Sequence, residues 1–194
     1  MSDRKSFKIA AICASNMNRS MAIHEVLLKQ GFYVKSFGTS KKICIPGDGP
    51  NLTLLFDFGT TYEEIYNQLK IKNYEVFAKL GLLSLLERNM KIKEKAERFQ
   101  DHMENFDIII ACDKKVYHNV LDHMDKKTPT DFSTCHVINV NMEDRIDKAC
   151  KDALFVAHLC MEFKKCKDLD YDIKKIVKKY EKSGKEFSYK LTLN

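Results

Sequence analysis

The segment CASNMNRS, residues 13–20, combines residue types that can bind and attack a single anion. Cys13 ends a short apolar run, and Arg19 lies six residues later, at the start of a stretch with helical periodicity. In a strand–loop–helix connection, the loop amides and the helix N-terminus can surround an anion. The planar guanidinium of Arg19 can hold two phosphate oxygens, and the same positive surroundings favour the thiolate form of Cys13. The spacing therefore predicts a phosphate-binding loop that contains a cysteine nucleophile.

Two further side chains of the 13–20 loop are predicted to support this chemistry. Asn16 can brace a strained loop through its side-chain amide, and asparagine tolerates a left-handed backbone. Ser20 can donate a hydrogen bond to the sulfur of Cys13 and help it to leave in a second step. The spacing alone leaves open the alternative of a structural cysteine near a surface arginine.

Cleavage of a phosphate ester also needs a proton donor for the leaving oxygen. Asp113 ends the apolar run FDIIIACD, and Asp144 comes shortly after the run CHVINVNM, with Glu143 beside it. Each aspartate is equally well explained as an N-cap or first-turn acid of the helix that follows. His24, one turn into the first helix, is expected to be a structural hydrogen-bonding residue rather than a base.

The apolar patterns predict how these residues are positioned. Buried strands are predicted at residues 7–13, 33–39, 106–113 and 135–142, and the alternating FSYKLTL segment at 187–193 predicts a late strand. Helices are predicted after residues 13 and 113 and at 60–72, 74–89, 145–166 and 168–183. Because the chain opens with a strand–loop–helix–strand unit, the sheet is expected to be parallel. We predict an α/β fold with a three-layer, Rossmann-like core and a small, mainly parallel sheet of four to five strands.

This core is predicted to be a single domain over residues 1–194. The Pro/Gly-rich stretch KKICIPGDGPNL, residues 41–52, is predicted to be a loop or a hairpin outside the sheet. In parallel sheets, sites form outside the carboxyl ends of the strands. Cys13, Asp113 and Asp144 are therefore expected to lie at one edge of the sheet.

The composition is that of an ordinary globular protein, with 44% hydrophobic and 31% charged residues. No apolar run approaches the ~20 residues of a membrane span, and the N-terminus lacks the apolar core of a signal peptide, so we expect an intracellular protein. The 7 cysteines form no CxxC pair and no Cys/His cluster at zinc spacing, which predicts neither a disulfide framework nor a zinc site. The net charge of +6 suits an anionic substrate or partner without implying nucleic acid.

The segment CASNMNRSMAIH resembles the loop of the low-molecular-weight tyrosine phosphatase fold. More closely, it resembles the family of phosphatases that act on the C-terminal domain of RNA polymerase II. The resemblance continues in order through SFGT (36–39), FDFGTTYEEIYNQL (56–69), ERFQ (97–100), FDIIIACDKKVY (106–117), HVINVNMED (136–144) and EKSGKEF (181–187). It covers essentially the whole chain.

This resemblance implies a protein-serine phosphatase that needs no metal or other cofactor. Its substrate would be the heptad Tyr-Ser-Pro-Thr-Ser-Pro-Ser, phosphorylated on the second serine or, more weakly, the third, with the following Ser-Pro bond in cis. Disordered X-Pro bonds are cis only about 10–30% of the time, so binding would select a minority conformer. The implied partners are the polymerase C-terminal domain and a scaffold protein of mRNA 3′-end processing, in the nucleus, with no direct nucleic-acid or membrane partner.

The resemblance also implies residue roles. Cys13 would be the nucleophile, Arg19 would bind the phosphoryl oxygens, and Asp144 would be the general acid. The phosphate-binding loop would further comprise Ala14, Ser15, Asn16, Met17, Asn18 and Ser20. Residues 41–90 would form a lid for substrate recognition, and Pro46 within it would line the substrate groove.

The chain departs from the family pattern around the acid. The first aspartate of the family's Asp-x-x-Asp segment is replaced by Asn141, and Arg145 and Ile146 follow Asp144. A cation beside Asp144 would favour its ionised form and weaken it as a proton donor.

Two alternatives follow from the same residues. An arsenate reductase on this fold would need two further cysteines near Cys13, for which Cys112 and Cys44 are the candidates. A non-catalytic phosphopeptide-binding paralogue is suggested by the changed surroundings of Asp144. The intact Cys13 and Arg19 favour an enzyme, because a binding module gains little from a reactive thiol.

Overall fold

A computed structural model describes residues 7–194, which form seven strands and six α-helices. The strands are β1 (Lys8–Cys13), β2 (Tyr33–Gly38), β3 (Ile43–Pro46), β4 (Thr53–Phe56), β5 (Ile108–Ala111), β6 (Thr134–Val140) and β7 (Phe187–Leu193). The helices are α1 (Arg19–Lys29), α2 (Tyr62–Lys79), α3 (Leu82–Met90), α4 (Lys114–Lys126), α5 (Ile146–Lys165) and α6 (Leu169–Glu181), with a short 3₁₀ helix at Phe99–Asp101.

Five of the strands form one sheet in the order β2-β1-β5-β6-β7. The first four are parallel, and β7 runs antiparallel to β6. Cys13 at the end of β1 is in register with Gly38 of β2, and Ile12 is in register with Ala111 of β5. The carboxyl ends of the parallel strands therefore meet at one edge. The predicted α/β fold with a mainly parallel sheet is confirmed.

Helices cover both faces of this sheet, which gives three layers. On one face, Ile9 and Ala11 of β1 pack in a cluster with residues of α1, α5 and α6. On the other face, Ala10 and Ile12 pack in a second cluster with residues of α4. Both faces of β1 are apolar, as expected for a strand that is buried on both sides, and each fully buried isoleucine side chain contributes about 1.5–3 kcal/mol.

Residues 41–90 pack as a third apolar cluster beside the 13–20 loop. The predicted hairpin is present as the antiparallel pair β3–β4. Apolar residues of β3, α2 and α3, among them Tyr62, join Met17 of the loop and Met21 of α1. The segment thus shares its core with the element that follows β1.

Two helices, 60–72 and 74–89, are predicted in this segment, and the boundary between them is confirmed at Asn73, whose non-helical backbone (φ −166°, ψ 86°) interrupts α2. The second predicted helix was wrong in one respect, because it is not continuous to residue 89. The full break comes at Gly81, whose left-handed φ of 74° starts a new helix direction.

Within residues 7–194, no helix is both long enough and apolar enough to cross a membrane.

Candidate active site

The 13–20 loop connects the end of β1 to the first turn of α1. Asn16 is fully buried and has a left-handed φ of 54°. Its Nδ2 donates to Ser20 Oγ at 3.0 Å, and its Oδ1 accepts from the Glu97 amide at 3.0 Å. The predicted left-handed conformation and the predicted brace are both present, so the loop is fixed from within.

Cys13 faces the interior of this loop. Its side chain is buried, and its Sγ lies 3.1 Å from Ser20 Oγ. In the part of the chain that the structure describes, the backbone amides of residues 15–18 donate to no protein acceptor. Because α1 begins directly after them, these donors and the helix N-terminus form a site suited to an anion next to the sulfur.

Arg19 lies on the inner side of the loop and is nearly buried. Its Nη1 pairs with Asp113 Oδ2 at 2.9 Å and its Nη2 pairs with Asp144 Oδ2 at 3.3 Å. Burial alone would lower the pKa of Arg19, but the negative charges that Cys112, Cys13 and the two carboxylates carry when ionised outweigh it, so the pKa is raised. The guanidinium is thus a permanent cation beside the sulfur.

The two aspartates differ in the hydrogen bonds that they accept in addition to their pairing with Arg19. Asp113 is the N-cap of α4, because its Oδ1 accepts from the Val116 amide at 2.8 Å. Asp144 is not the N-cap of α5; that position is Arg145, and Asp144 Oδ1 instead accepts from Asn18 Nδ2 at 3.0 Å. The capping alternative therefore holds for Asp113 and fails for Asp144, which is directed at the loop.

Arg145 forms its ion pairs with carboxylates other than Asp144. Its Nε and Nη2 both pair with the Asp147 carboxylate at 3.2 Å, and its Nη1 lies 3.8 Å from Glu143. Within residues 7–194 it makes no ion pair with Asp144. The chain therefore places its extra cation beside two other carboxylates.

His24 is placed as expected, away from the anion site. Its Nδ1 lies 2.9 Å from Ser36 Oγ, and burial, helped by the charge of Lys93, lowers its pKa to about 4. It is therefore neutral at physiological pH and hydrogen-bonded within the core.

A cleft of about 380 Å³ opens next to Cys13. Asp144 and Ser15 line its polar side. Most of its apolar lining comes from residues 41–90: Ile45, Pro46, Leu80, Leu82 and Leu85. The cleft thus joins a site for an anion to a surface for an apolar side chain.

A family model described as "Ssu72-like protein" matches residues 7–193. The chain belongs to the Ssu72 family.

Relatives and solved structures agree with this assignment. The chain is 36% identical over 181 residues to the human RNA polymerase II C-terminal domain phosphatase SSU72, covering 93% of each protein, and 36% identical over 177 residues to its zebrafish (Danio rerio) counterpart, covering 91% of each. It is also similar to the crystal structure of Drosophila melanogaster Ssu72 with Symplekin and a cis peptidomimetic CTD phosphopeptide. That match has a TM-score of 0.94 at 34% identity and covers 97% of this chain and 99% of that one.

In this Ssu72-family chain, three residues whose side chains contact the 13–20 loop were not identified from the sequence. Tyr62, Arg88 and Asn89 each donate a hydrogen bond to a backbone carbonyl of the loop. They lie 46 to 72 residues away along the chain, so no local pattern could indicate the contacts. Only their position within the 41–90 segment pointed towards the site.

The two cysteines considered for a reductase lie in different surroundings. Cys112 is fully buried, and burial raises the pKa of its thiol well above the usual value. Cys44 is exposed and lines the cleft with Cys13. A disulfide relay through Cys112 is therefore disfavoured, because a buried thiol is a poor nucleophile.

Among the described residues, no group of three or more His, Cys, Asp or Glu side chains is arranged to hold a metal ion.

Proposed function

We propose that this Ssu72-family chain is a cysteine-dependent phosphatase that removes phosphate from phosphoserine in the C-terminal heptad repeats of RNA polymerase II. The names of its relatives support the substrate. The observation that supports the chemistry is the placement of Cys13 Sγ, 3.1 Å from Ser20 Oγ, in a loop whose inward amides and Arg19 guanidinium can bind a phosphoryl group.

In the first proposed step, the Cys13 thiolate attacks phosphorus and the P–O bond to serine breaks. Asp144, in its protonated form, gives its proton to the leaving serine oxygen, and a phosphocysteine forms. The loop amides and Arg19 stabilise the equatorial oxygens. Arg19 Nη2, which is paired with Asp144 at 3.3 Å, is a donor for which the bound phosphate competes with that carboxylate.

In the second step, water attacks phosphorus and loses a proton to the Asp144 carboxylate. The P–S bond breaks, and inorganic phosphate and the Cys13 thiolate are released. Ser20 Oγ, at 3.1 Å, donates a hydrogen bond to the departing sulfur. The acid of the first step is thus regenerated.

Residues 41–90 act in this proposal as the lid that recognises the residue after phosphoserine. Pro46, Leu82 and Leu85 supply an apolar lining in the same cleft as Cys13, which suits the ring of a proline. The cis form of that Ser-Pro bond is part of the proposal, in line with the cis peptidomimetic bound by the Drosophila relative.

The proposed partners are the phosphorylated polymerase C-terminal domain and a scaffold protein of mRNA 3′-end processing. The Drosophila relative is named in complex with Symplekin and a CTD phosphopeptide. A protein that acts on RNA polymerase II with that scaffold works in the nucleus, which is therefore the proposed location.

The test is phosphate release from a heptad peptide phosphorylated on its second serine. We expect release by the wild type and none by Cys13→Ser, since a serine hydroxyl is a far weaker nucleophile than a thiolate. Cleavage of a small aryl phosphate without cleavage of the peptide would support the proposed chemistry of the loop and contradict the proposed polymerase substrate.

Failure to cleave either substrate would reject the phosphatase and favour the phosphopeptide-binding alternative. A new disulfide after incubation with arsenate in the absence of added thiol, in which the protein thiols are oxidised as arsenate is reduced to arsenite, would favour the reductase alternative.

A further inference from the structure

The outer side of the 13–20 loop is held by side chains of the 41–90 segment. The hydroxyl of Tyr62, on α2, donates to the Asn16 carbonyl at 2.7 Å. The Asn89 amide, on α3, donates to the Met17 carbonyl at 2.8 Å. Both donor residues are fully buried, so solvent does not compete for these contacts.

Arg88 adds a third donor next to Asn89. Its Nη2 lies 3.1 Å from the Met17 carbonyl and 3.2 Å from the Asn18 carbonyl. The same guanidinium donates to Asn89 Oδ1 from Nη2 at 2.9 Å and from Nε at 3.1 Å. The two side chains therefore fix one another, and together with Tyr62 they engage three consecutive loop carbonyls.

Peptide geometry links these contacts to the inner side of the loop. In a planar trans peptide, the C=O of one residue and the N–H of the next point in opposite directions. Holding the carbonyls of residues 16–18 outward therefore turns the amides of residues 17–19 inward, towards Cys13. A carbonyl without an outer partner can rotate inward, where its oxygen would repel an anion.

We propose that Tyr62, Arg88 and Asn89 are positioning residues, which preorganise the inward amides that bind the phosphoryl group. The inference rests on the proposed function and adds a role for residues 41–90, which then shape the anion site as well as cover the substrate. Donors fixed in advance need no reorganisation during reaction, and removal of a single oxyanion donor has cost about 10²–10³-fold in rate elsewhere.

The chain offers a matched pair of substitutions for the test. Tyr62→Phe removes only the hydroxyl that reaches the Asn16 carbonyl. Tyr66→Phe makes the same change one turn later on α2, where the hydroxyl donates to Glu87 Oε1 at 3.2 Å. Both variants break a contact that starts from α2, but only the first acts on the loop.

The probe is inorganic tungstate, an unreactive oxyanion, titrated by calorimetry well below the melting temperature. We expect tungstate to bind about tenfold more weakly to Tyr62→Phe, which corresponds to the loss of one buried hydrogen bond, and within twofold of wild type to Tyr66→Phe. For the phosphopeptide, kcat/KM should fall by at least the same factor, because the loop amides bind the transition state more strongly than the ground state.

Arg88→Lys gives an independent test if Tyr62→Phe does not fold. Lysine keeps the positive charge but lacks the fork that reaches two carbonyls and Asn89. We expect tungstate to bind about threefold more weakly to this variant.

The outcomes separate this inference from the proposed function. A lower melting temperature with unchanged tungstate affinity in Tyr62→Phe and Arg88→Lys would show a purely structural role and overturn the inference alone. No tungstate binding by the wild type would overturn both. Weakened tungstate binding in a protein that does not cleave the peptide would support the positioning role and overturn the assigned substrate.

Discussion

Replacement of Asp144 by asparagine is expected to change catalysis and anion binding in opposite directions. Asp144 contacts both Asn18 and Arg19, and an amide oxygen can replace only one of its two carboxylate oxygens. The side chain of Asp144 is 59% exposed, so its pairing with Arg19 is screened by solvent and contributes about 0.2–1 kcal/mol. Without that competing carboxylate, inorganic phosphate is expected to bind up to about fivefold more tightly.

The rate is expected to fall, since a serine oxygen is a poor leaving group that needs a proton. Loss of a general acid typically costs 10²–10⁴-fold, so kcat/KM for the phosphopeptide should fall by about that factor in Asp144→Asn. For an aryl phosphate, whose leaving oxygen needs less protonation, kcat/KM should fall much less in the same variant. The assay compares phosphate release from both substrates, with phosphate affinity measured by calorimetry.

Glu143→Gln is the matched control. Glu143 is similarly exposed, is next to Asp144 in the chain and faces Arg145 rather than Arg19. This variant loses the same charge and should stay within about threefold of wild type. Equal losses on the peptide and the aryl phosphate in Asp144→Asn, or an equal loss in Glu143→Gln, would refute the assignment of Asp144 as the acid.

Two further predictions concern the elements that support the site. At Gly38, an added Cβ would lie 2.6 Å from the Ala14 carbonyl oxygen, so Gly38→Ala should destabilise the protein by about 1–3 kcal/mol in urea unfolding, whereas Gly49→Ala, with nothing within 4 Å, should not. For His24, the pKa in the folded protein, about 4, lies below the ordinary value of 6.5. Between these pH values the unfolded state binds more protons than the folded state. The free energy of unfolding should therefore fall by up to about 3 kcal/mol as the pH falls from about 6.5 to about 4. His24→Gln should flatten that slope and His158→Gln, at an exposed histidine, should not.

Each of these two predictions has an outcome that would contradict it. A Gly38→Ala protein as stable as Gly49→Ala would mean that the loop can shift without cost. A wild-type acid slope that His24→Gln leaves unchanged would assign the loss of stability to carboxylates instead.

The sheet could be predicted from the sequence because its strands are buried on both faces. Continuous apolar runs then coincide with the strands, as at residues 7–13 and 106–113, although β5 proper is shorter, Ile108–Ala111. The bounds within residues 41–90 were harder to predict. Helical periodicity passes through Gly81, and only the left-handed backbone there ends one helix before the next begins.

Within the site, only the contacts between residues close together in the sequence could be predicted. Cys13, Asn16 and Ser20 interact within one loop, so their spacing was sufficient to indicate the contact of Ser20 with Cys13 and a bracing role for Asn16. The partners of Arg19 depend on how parallel strands align, and the hydrogen bond from Tyr62 depends on how α2 packs. Neither kind of contact leaves a pattern in the sequence, which is why the roles of Asp113 and Asp144 were left undecided between capping and chemistry.

The pairing of Arg19 explains how one guanidinium can bind two carboxylates in the free protein and a phosphate in the complex. Without an anion, its buried charge is compensated by both Asp113 and Asp144, which avoids the large cost of an unpaired buried cation. Asp113 is also held by its bond to the Val116 amide, whereas Asp144, which accepts from Asn18, is mostly exposed, so its pairing with Arg19 is screened by solvent. An arriving phosphate dianion should therefore displace Asp144 and not Asp113. Asp144 is then released from Arg19, as its proposed role as proton donor to the leaving serine oxygen requires.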